Sequence, residues 1–121
     1  DLRTKTIAIL GWAFKAKTND SRESSAIFIT EKLINAGAFI EIYDPIISAD
    51  QILYDLENYT FLEEYLNKIK IHSRLENAIS NKDAIAILTE WDEFKSLDCS
   101  TVRVFDGRNI INNKKVISIG K

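Results

Sequence analysis

Methionine is absent from the 121 residues, and cysteine, histidine and proline occur once each. A single cysteine, Cys99, rules out a disulfide framework and fits a reducing cytoplasm. A single histidine, His72, argues against a catalytic histidine or a histidine-based metal site. No apolar run approaches the roughly 20 residues that a membrane span needs, and the start does not read as a signal peptide. Lysine and arginine number 16 against 18 aspartates and glutamates, a net charge of −2 with no long basic stripe, so nucleic acid is not an expected partner. The chain starts at Asp1 rather than Met, as expected of an excised piece of something longer. Of the four glycines, only Gly11 occupies a turn position after an opening strand. Trp12 and Phe14 fill places where a dinucleotide-binding loop needs small residues, so the glycine-rich fingerprint is missing. Repeats, low-complexity tracts and internal linkers are also absent.

What remains is an ordinary globular composition, 45% hydrophobic and 28% charged. The length suits one domain spanning residues 1–121, burying roughly two-thirds of its chain surface. Its organising stretch runs from Ile7 to Ile29. Ile7-Ala8-Ile9-Leu10 is an apolar run that breaks at Gly11. A loop follows with three cations, Lys15, Lys17 and Arg22, and ends in Asp20-Ser21-Arg22-Glu23, where Asp20 and Glu23 have the spacing of a capping box. Apolar residues then adopt helical spacing. Strand, glycine turn and capped helix make the first half of a βαβ unit. The helix start offers unpaired N–H groups and a partial positive charge. With lysine and arginine beside it, such a turn suits a diphosphate; solvated surface cations are the competing reading.

The rest of the chain continues the alternation. Strand one covers about Lys5 to Leu10, and the first helix about Arg22 to Ala36. Ala26, Ile29, Leu33 and Ala36 form its apolar stripe, and Gly37 offers a left-handed cap. Ala38 to Tyr43 alternate as strand two, which Pro45 stops. Asp44 sits where a ribose-holding acid can stand, but without the glycine loop it reads better as a turn opener. Ser48 to Asn67 is helical, with Ser48 and Asp50 as caps and a break near Asn58-Tyr59-Thr60. Its aromatics, Tyr59, Phe61 and Tyr65, are read as core. Lys70 to Ser73 forms strand three and Leu75 to Ser80 a short helix. Ala84 to Leu88 is an apolar run that marks a strand covered on both faces. Glu90 to Leu97 turns into a short helix, with Trp91 packed over the sheet end. Asp92, Glu93 and Asp98 read as a solvated acidic stretch. Val102 to Phe105 is strand five, Asp106-Gly107 a turn, and Lys115 to Ile119 a last strand.

Strands alternating with helices indicate an α/β fold of three layers around a doubly wound, mainly parallel sheet of five to six strands. Ligands of such sheets sit outside the carboxyl ends of the strands, near the switch in strand order. That rule brings Phe14, Lys15 and Arg22, after strand one, to the same rim as Arg108, after strand five. A guanidinium grips phosphate or ribose oxygens with two donors, and an ammonium supplies a point charge. Phe14 has two readings, a cover for base or sugar and a packing residue.

LGWAFKAKTNDSRESSAI resembles the opening of the C-terminal, UDP-binding domain of the UDP-glucose/GDP-mannose dehydrogenase family. Tyr43-Asp44-Pro45, Thr89-Glu90-Trp91-Asp92-Glu93-Phe94 and Phe105-Asp106-Gly107-Arg108 agree in order and spacing, so the resemblance spans nearly the whole chain. It implies a Rossmann-like domain that holds the UDP part of UDP-glucose. The positions matching Phe14, Lys15 and Arg108 would touch substrate, and the one matching Arg22 would reach NAD held mainly by an N-terminal domain. The implied reaction is a two-step oxidation of the sugar C6 alcohol to a carboxylate through a covalent thiohemiacetal on a cysteine. That cysteine, the catalytic lysine and the central helix through which such enzymes dimerise fall outside these residues. Cys99 does not match the nucleophile, no residue of the chain is read as catalytic, and the chain alone is expected to be inactive. Two alternatives stand beside this reading. One is the corresponding domain of a GDP-mannose or UDP-N-acetylhexosamine dehydrogenase. The other is a flavodoxin-like signalling module, which needs an acidic cluster after strand one where this chain has cations.

Overall fold

Short apolar runs separated by helical periods fold as read. In the computed structural model, which describes residues 2–13, 25–60, 67–95, 97, 102–106 and 116–118, the order is β1 (Thr6–Leu10), α1 (Ser25–Asn35), β2 (Phe39–Tyr43), α2 (Ala49–Tyr59), β3 (Ile69–Ile71), α3 (Leu75–Ile79), β4 (Ala84–Ile87), a 3-10 turn (Asp92–Phe94), β5 (Arg103–Asp106) and β6 (Val116–Ser118). The strands pair in the order β3-β2-β1-β4-β5-β6, every pair parallel. From β1 the chain steps outward to β2 and β3, then returns to build β4, β5 and β6 on the other side. The switch in direction falls between β1 and β4.

That switch divides the helices between the two faces. On one face Ile27 and Ile34 of α1 and Ile52 and Leu56 of α2 pack on Ile7, Ile9, Ile40, Ile42, Ala86 and Leu88. On the other, Ala78 of α3 and Phe94 of the 3-10 turn pack on Ala8, Leu10, Ile85, Ile87 and Val104. Strands β1 and β4 send side chains into both clusters, which is why residues 7–10 and 84–87 are continuously apolar rather than alternating. Trp91 touches both clusters, at the end of the sheet.

Local signals account for the element ends. Gly37 takes φ +102. The Ala38 amide donates to the Leu33 carbonyl and the Gly37 amide to that of Ile34, the paired bonds of a Schellman cap. Ser48 caps α2, its hydroxyl accepting from the Gln51 amide at 3.1 Å. The break read at 58–60 is real: α2 ends at Tyr59. Two packing expectations need correction. The buried stripe of α1 is Ala26, Ile27, Thr30 and Ile34, with Ile29 and Leu33 on its flank and Ala36 exposed. Tyr59 is exposed as well, because the inward place at the end of α2 goes to Thr60, whose hydroxyl turns back to the Leu56 carbonyl. Phe61 and Tyr65 lie outside the described residues. Among the described residues no helix is long and apolar enough to cross a membrane.

Candidate functional site

Register brings the carboxyl ends of the central strands into one row. Leu10 of β1 stands opposite Tyr43 of β2 and Ile87 of β4, and Ile87 stands opposite Asp106 of β5. All four strands therefore release their chains at the same edge, beside the switch point where doubly wound sheets bind ligands.

The exit from β1 is built around two residues the sequence makes conspicuous. Gly11 has φ +99, and a Cβ placed there would fall on the Thr89 side chain and 2.7 Å from the Thr89 amide nitrogen, so only glycine fits. Its own amide donates to the Tyr43 carbonyl at 2.8 Å. Trp12 then plunges inward and is the largest of the fully buried side chains. A buried indole needs an acceptor for its N–H, and Asp55 of α2 supplies one at 2.9 Å. Asp55 is itself completely buried, and its other oxygen accepts from Gln51 Nε2 at 2.9 Å.

Asp44 is the second anchor. Its Oδ1 accepts from the Ile46 and Ile47 amides at 2.8 and 2.9 Å, the turn-opening role read from Asp-Pro. Its Oδ2 accepts from the Trp12 and Ala13 amides at 2.7 and 3.0 Å and from the Trp91 indole at 3.1 Å. A carboxylate holding five donors has no oxygen left for a ribose. Thr89 completes the hold on the loop, its hydroxyl donating to the Ala13 carbonyl at 2.8 Å.

These bonds decide what the rim can do. The amides of Gly11, Trp12 and Ala13 are the groups that would cradle a pyrophosphate in a glycine-rich dinucleotide loop. Here all three are engaged within the protein. Among the described residues, the exit from β1 therefore presents no free backbone amide to a pyrophosphate. Nearby, the Tyr43 hydroxyl donates to Glu93 Oε1 at 2.6 Å. Burial, and then the carboxylate it faces, push that phenol above its ordinary range, so it stays protonated.

Phe14, Lys15, Arg22 and Arg108, the residues singled out from sequence, lie outside the described residues, as does Cys99. The ends that lead into them do not. Ala13 directly precedes Phe14, and Asp106 stands two residues before Arg108. Strands β1 and β5 are separated only by β4, about 10 Å at two inter-strand spacings. Sequence reading missed Asp55 and Thr89. The available signal was Trp12 itself, a bulky residue with an N–H directly after a turn glycine.

A groove of about 680 Å³ lies elsewhere, along the α1 face of β1, β4 and β5 and lined mainly by Ile7, Ile29, Leu33, Ala86, Leu88 and Phe105. Its wall is largely apolar, with Lys5, Asp83 and Arg103 at the starts of the strands rather than at their carboxyl ends, so by the switch-point rule the strand-end rim remains the candidate.

Known proteins bear on that rim. Residues 8–113 match the model of the UDP-glucose/GDP-mannose dehydrogenase family, UDP binding domain. UDP-glucose 6-dehydrogenase of Drosophila melanogaster is 39% identical over 96% of this chain, and UDP-glucose 6-dehydrogenase 1 of Arabidopsis thaliana is 40% identical over the same share. The chain spans only 27% and 28% of those two proteins. Among solved structures, a UDP-glucose dehydrogenase from the archaeon Pyrobaculum islandicum superposes with a TM-score of 0.76 at 24% identity, covering 98% of this chain and 26% of that one, which supports the fold. The chain belongs to the UDP-glucose/GDP-mannose dehydrogenase family and corresponds to its UDP binding domain.

Proposed function

We propose that this chain is the UDP-binding domain of an NAD-dependent UDP-glucose 6-dehydrogenase, holding the UDP part of UDP-glucose while the rest of the enzyme oxidises the sugar to the glucuronate. The observation that carries this is the common edge. β1 and β5 release the chain at the same edge with only β4 between them, four residues before Phe14 and two before Arg108 respectively. Lys15 supplies a point charge to the diphosphate, Arg108 grips phosphate or ribose oxygens with paired donors, and Phe14 covers the sugar or base. The relatives matched over nearly the whole chain favour the UDP-glucose reading over GDP-mannose and UDP-N-acetylhexosamine enzymes and over a signalling module.

NAD, when bound, takes up the hydride in such an oxidation. With the β1 amides engaged, it falls to an N-terminal domain to hold the cofactor, and Arg22 reaches across to it. The complete enzyme is a cytoplasmic homodimer in this reading.

A calorimetric titration of the chain with UDP tests the assignment. Charge-assisted hydrogen bonds contribute roughly 1.5–3 kcal/mol, so Arg108→Ala weakens UDP binding about ten- to a hundredfold. UDP is expected to bind better than GDP. Equal UDP affinity in parent and variant removes Arg108 from the site. Turnover of UDP-glucose with NAD by the chain alone would overturn the division of labour.

A further inference from the structure

Asp44 does more than its turn requires. The turn uses one oxygen, Oδ1, bonded to the Ile46 and Ile47 amides. The other oxygen reaches across 31 and 32 residues of sequence to the Ala13 and Trp12 amides, and to the Trp91 indole. Asp44 is 7% exposed, and the loop stretch it holds is wholly buried. Phe14 begins at the very next peptide.

We propose that Asp44 is a positioning residue of the nucleotide site: through the Trp12 and Ala13 amides it fixes where the chain leaves β1, and so where Phe14 and Lys15 start, without itself touching nucleotide. This rests on the reading above that Phe14 and Lys15 contact UDP-glucose. The division between the two oxygens makes the role separable from the turn. In Asp44→Asn the amide oxygen can still serve Ile46 and Ile47. Its NH₂ then faces Trp12 N–H, Ala13 N–H and the Trp91 indole, three donors against a donor. The exchange keeps volume and releases the loop selectively. A misplacement on the order of 1 Å in a binding group is enough to lose orders of magnitude in function.

The experiment titrates UDP into the 121-residue chain as parent, Asp44→Asn, Phe14→Ala/Lys15→Ala, Arg108→Ala, and Asp44→Asn combined with each of the last two. Asp44→Asn is expected to weaken UDP binding about tenfold or more. In the Phe14→Ala/Lys15→Ala background that loss shrinks to under about threefold, since the groups it positions are gone. In the Arg108→Ala background it persists in full. Amide exchange at Trp12 and Ala13 rises in Asp44→Asn while Ile46 and Ile47 stay protected. A parent that does not bind UDP overturns the functional reading, and this inference with it. A parent that binds with Asp44→Asn equal to it overturns this inference alone. An undiminished loss in the Phe14→Ala/Lys15→Ala background makes Asp44 merely structural and also overturns it. Should Asp44→Asn fail to fold, Thr89→Val removes only the bond to the Ala13 carbonyl. It is expected to cost threefold or more with Phe14 and Lys15 present and nothing without them, and parental affinity in Thr89→Val then refutes the positioning role.

Discussion

Trp12→Phe is the substitution that most directly tests how the rim is built. Trp12 is fully buried, and its indole N–H is bonded to the fully buried Asp55 at 2.9 Å. Phenylalanine removes the donor and part of the ring, leaving Asp55 with Gln51 as its remaining bonded side chain among the described residues. A hydrogen bond to a charged group contributes about 1.5–3 kcal/mol, and the vacated indole space adds about 1–2 kcal/mol. The expected loss is about 2.5–5 kcal/mol, a large share of the 5–15 kcal/mol typical of a domain. Asp55→Leu alone strands the indole N–H and costs about 1–3 kcal/mol. The double variant removes both polar partners, so no buried group is left unsatisfied, and its loss should approach the cavity term of about 1–2 kcal/mol. Urea unfolding followed by far-UV circular dichroism measures all three. With a slope of about 1–3 kcal/mol per molar urea, Trp12→Phe shifts the midpoint down by more than about 1 M. A double variant that loses as much as the two singles together would show that indole and carboxylate are not energetically coupled, and the reasoning would fail.

Two further outcomes are expected. Gly11→Ala forces a side chain into φ +99 and onto Thr89, at about 2–4 kcal/mol from the left-handed backbone and the overlap together; a melting temperature within a degree or two of the parent refutes it. At Glu41, burial works to raise the carboxyl pKa, but hydrogen bonds from His72 (2.5 Å) and Lys82 (3.2 Å) outweigh it and hold the group below its ordinary value of 4.5. A depressed folded pKa contributes stability above the ordinary value and loses it as pH falls through the folded one. Glu41→Gln should therefore lower stability by roughly 1–2 kcal/mol at pH 7 and flatten the acid limb below pH 4.5; an acid limb as steep as the parent's in a melting series would refute it.

The order of strands and helices was legible because each run carries one clear period. Continuous apolar residues at 7–10 and 84–88 marked the two central strands, and they are the strands packed on both faces. The inward face of α1 was not legible in the same way. Ala26-Ile27-Phe28-Ile29 is apolar at four successive places, so periodicity alone could not say which of them meets the sheet, and a threonine, Thr30, takes a buried place. The short helix read at 90–97 is reduced to the 3-10 turn Asp92–Phe94, where Phe94 alone is buried. The hold of the two carboxylates on Trp12 was not legible for a different reason. Asp44 and Asp55 lie 32 and 43 residues from Trp12. They meet it only through the β1–β2 register and the packing of α2, neither of which a local pattern encodes.

Those anchors also explain why the loop after β1 carries cations instead of glycines. In a dinucleotide-binding domain the amides at this point face outward, and glycines let the backbone approach the pyrophosphate. In this chain the same amides turn inward to Asp44 and the Tyr43 carbonyl, and a tryptophan fills the space the glycines would keep open. At residues 11–13 the backbone has given up its anion-binding capacity to rigidity. An anionic ligand at this end of β1 finds those three amides taken, and the lysine and arginine side chains of the loop sequence are residues that can meet its charge. The missing glycine fingerprint and the surplus of cations in the loop are thus two consequences of one structural choice, the burial of Trp12 between two carboxylates.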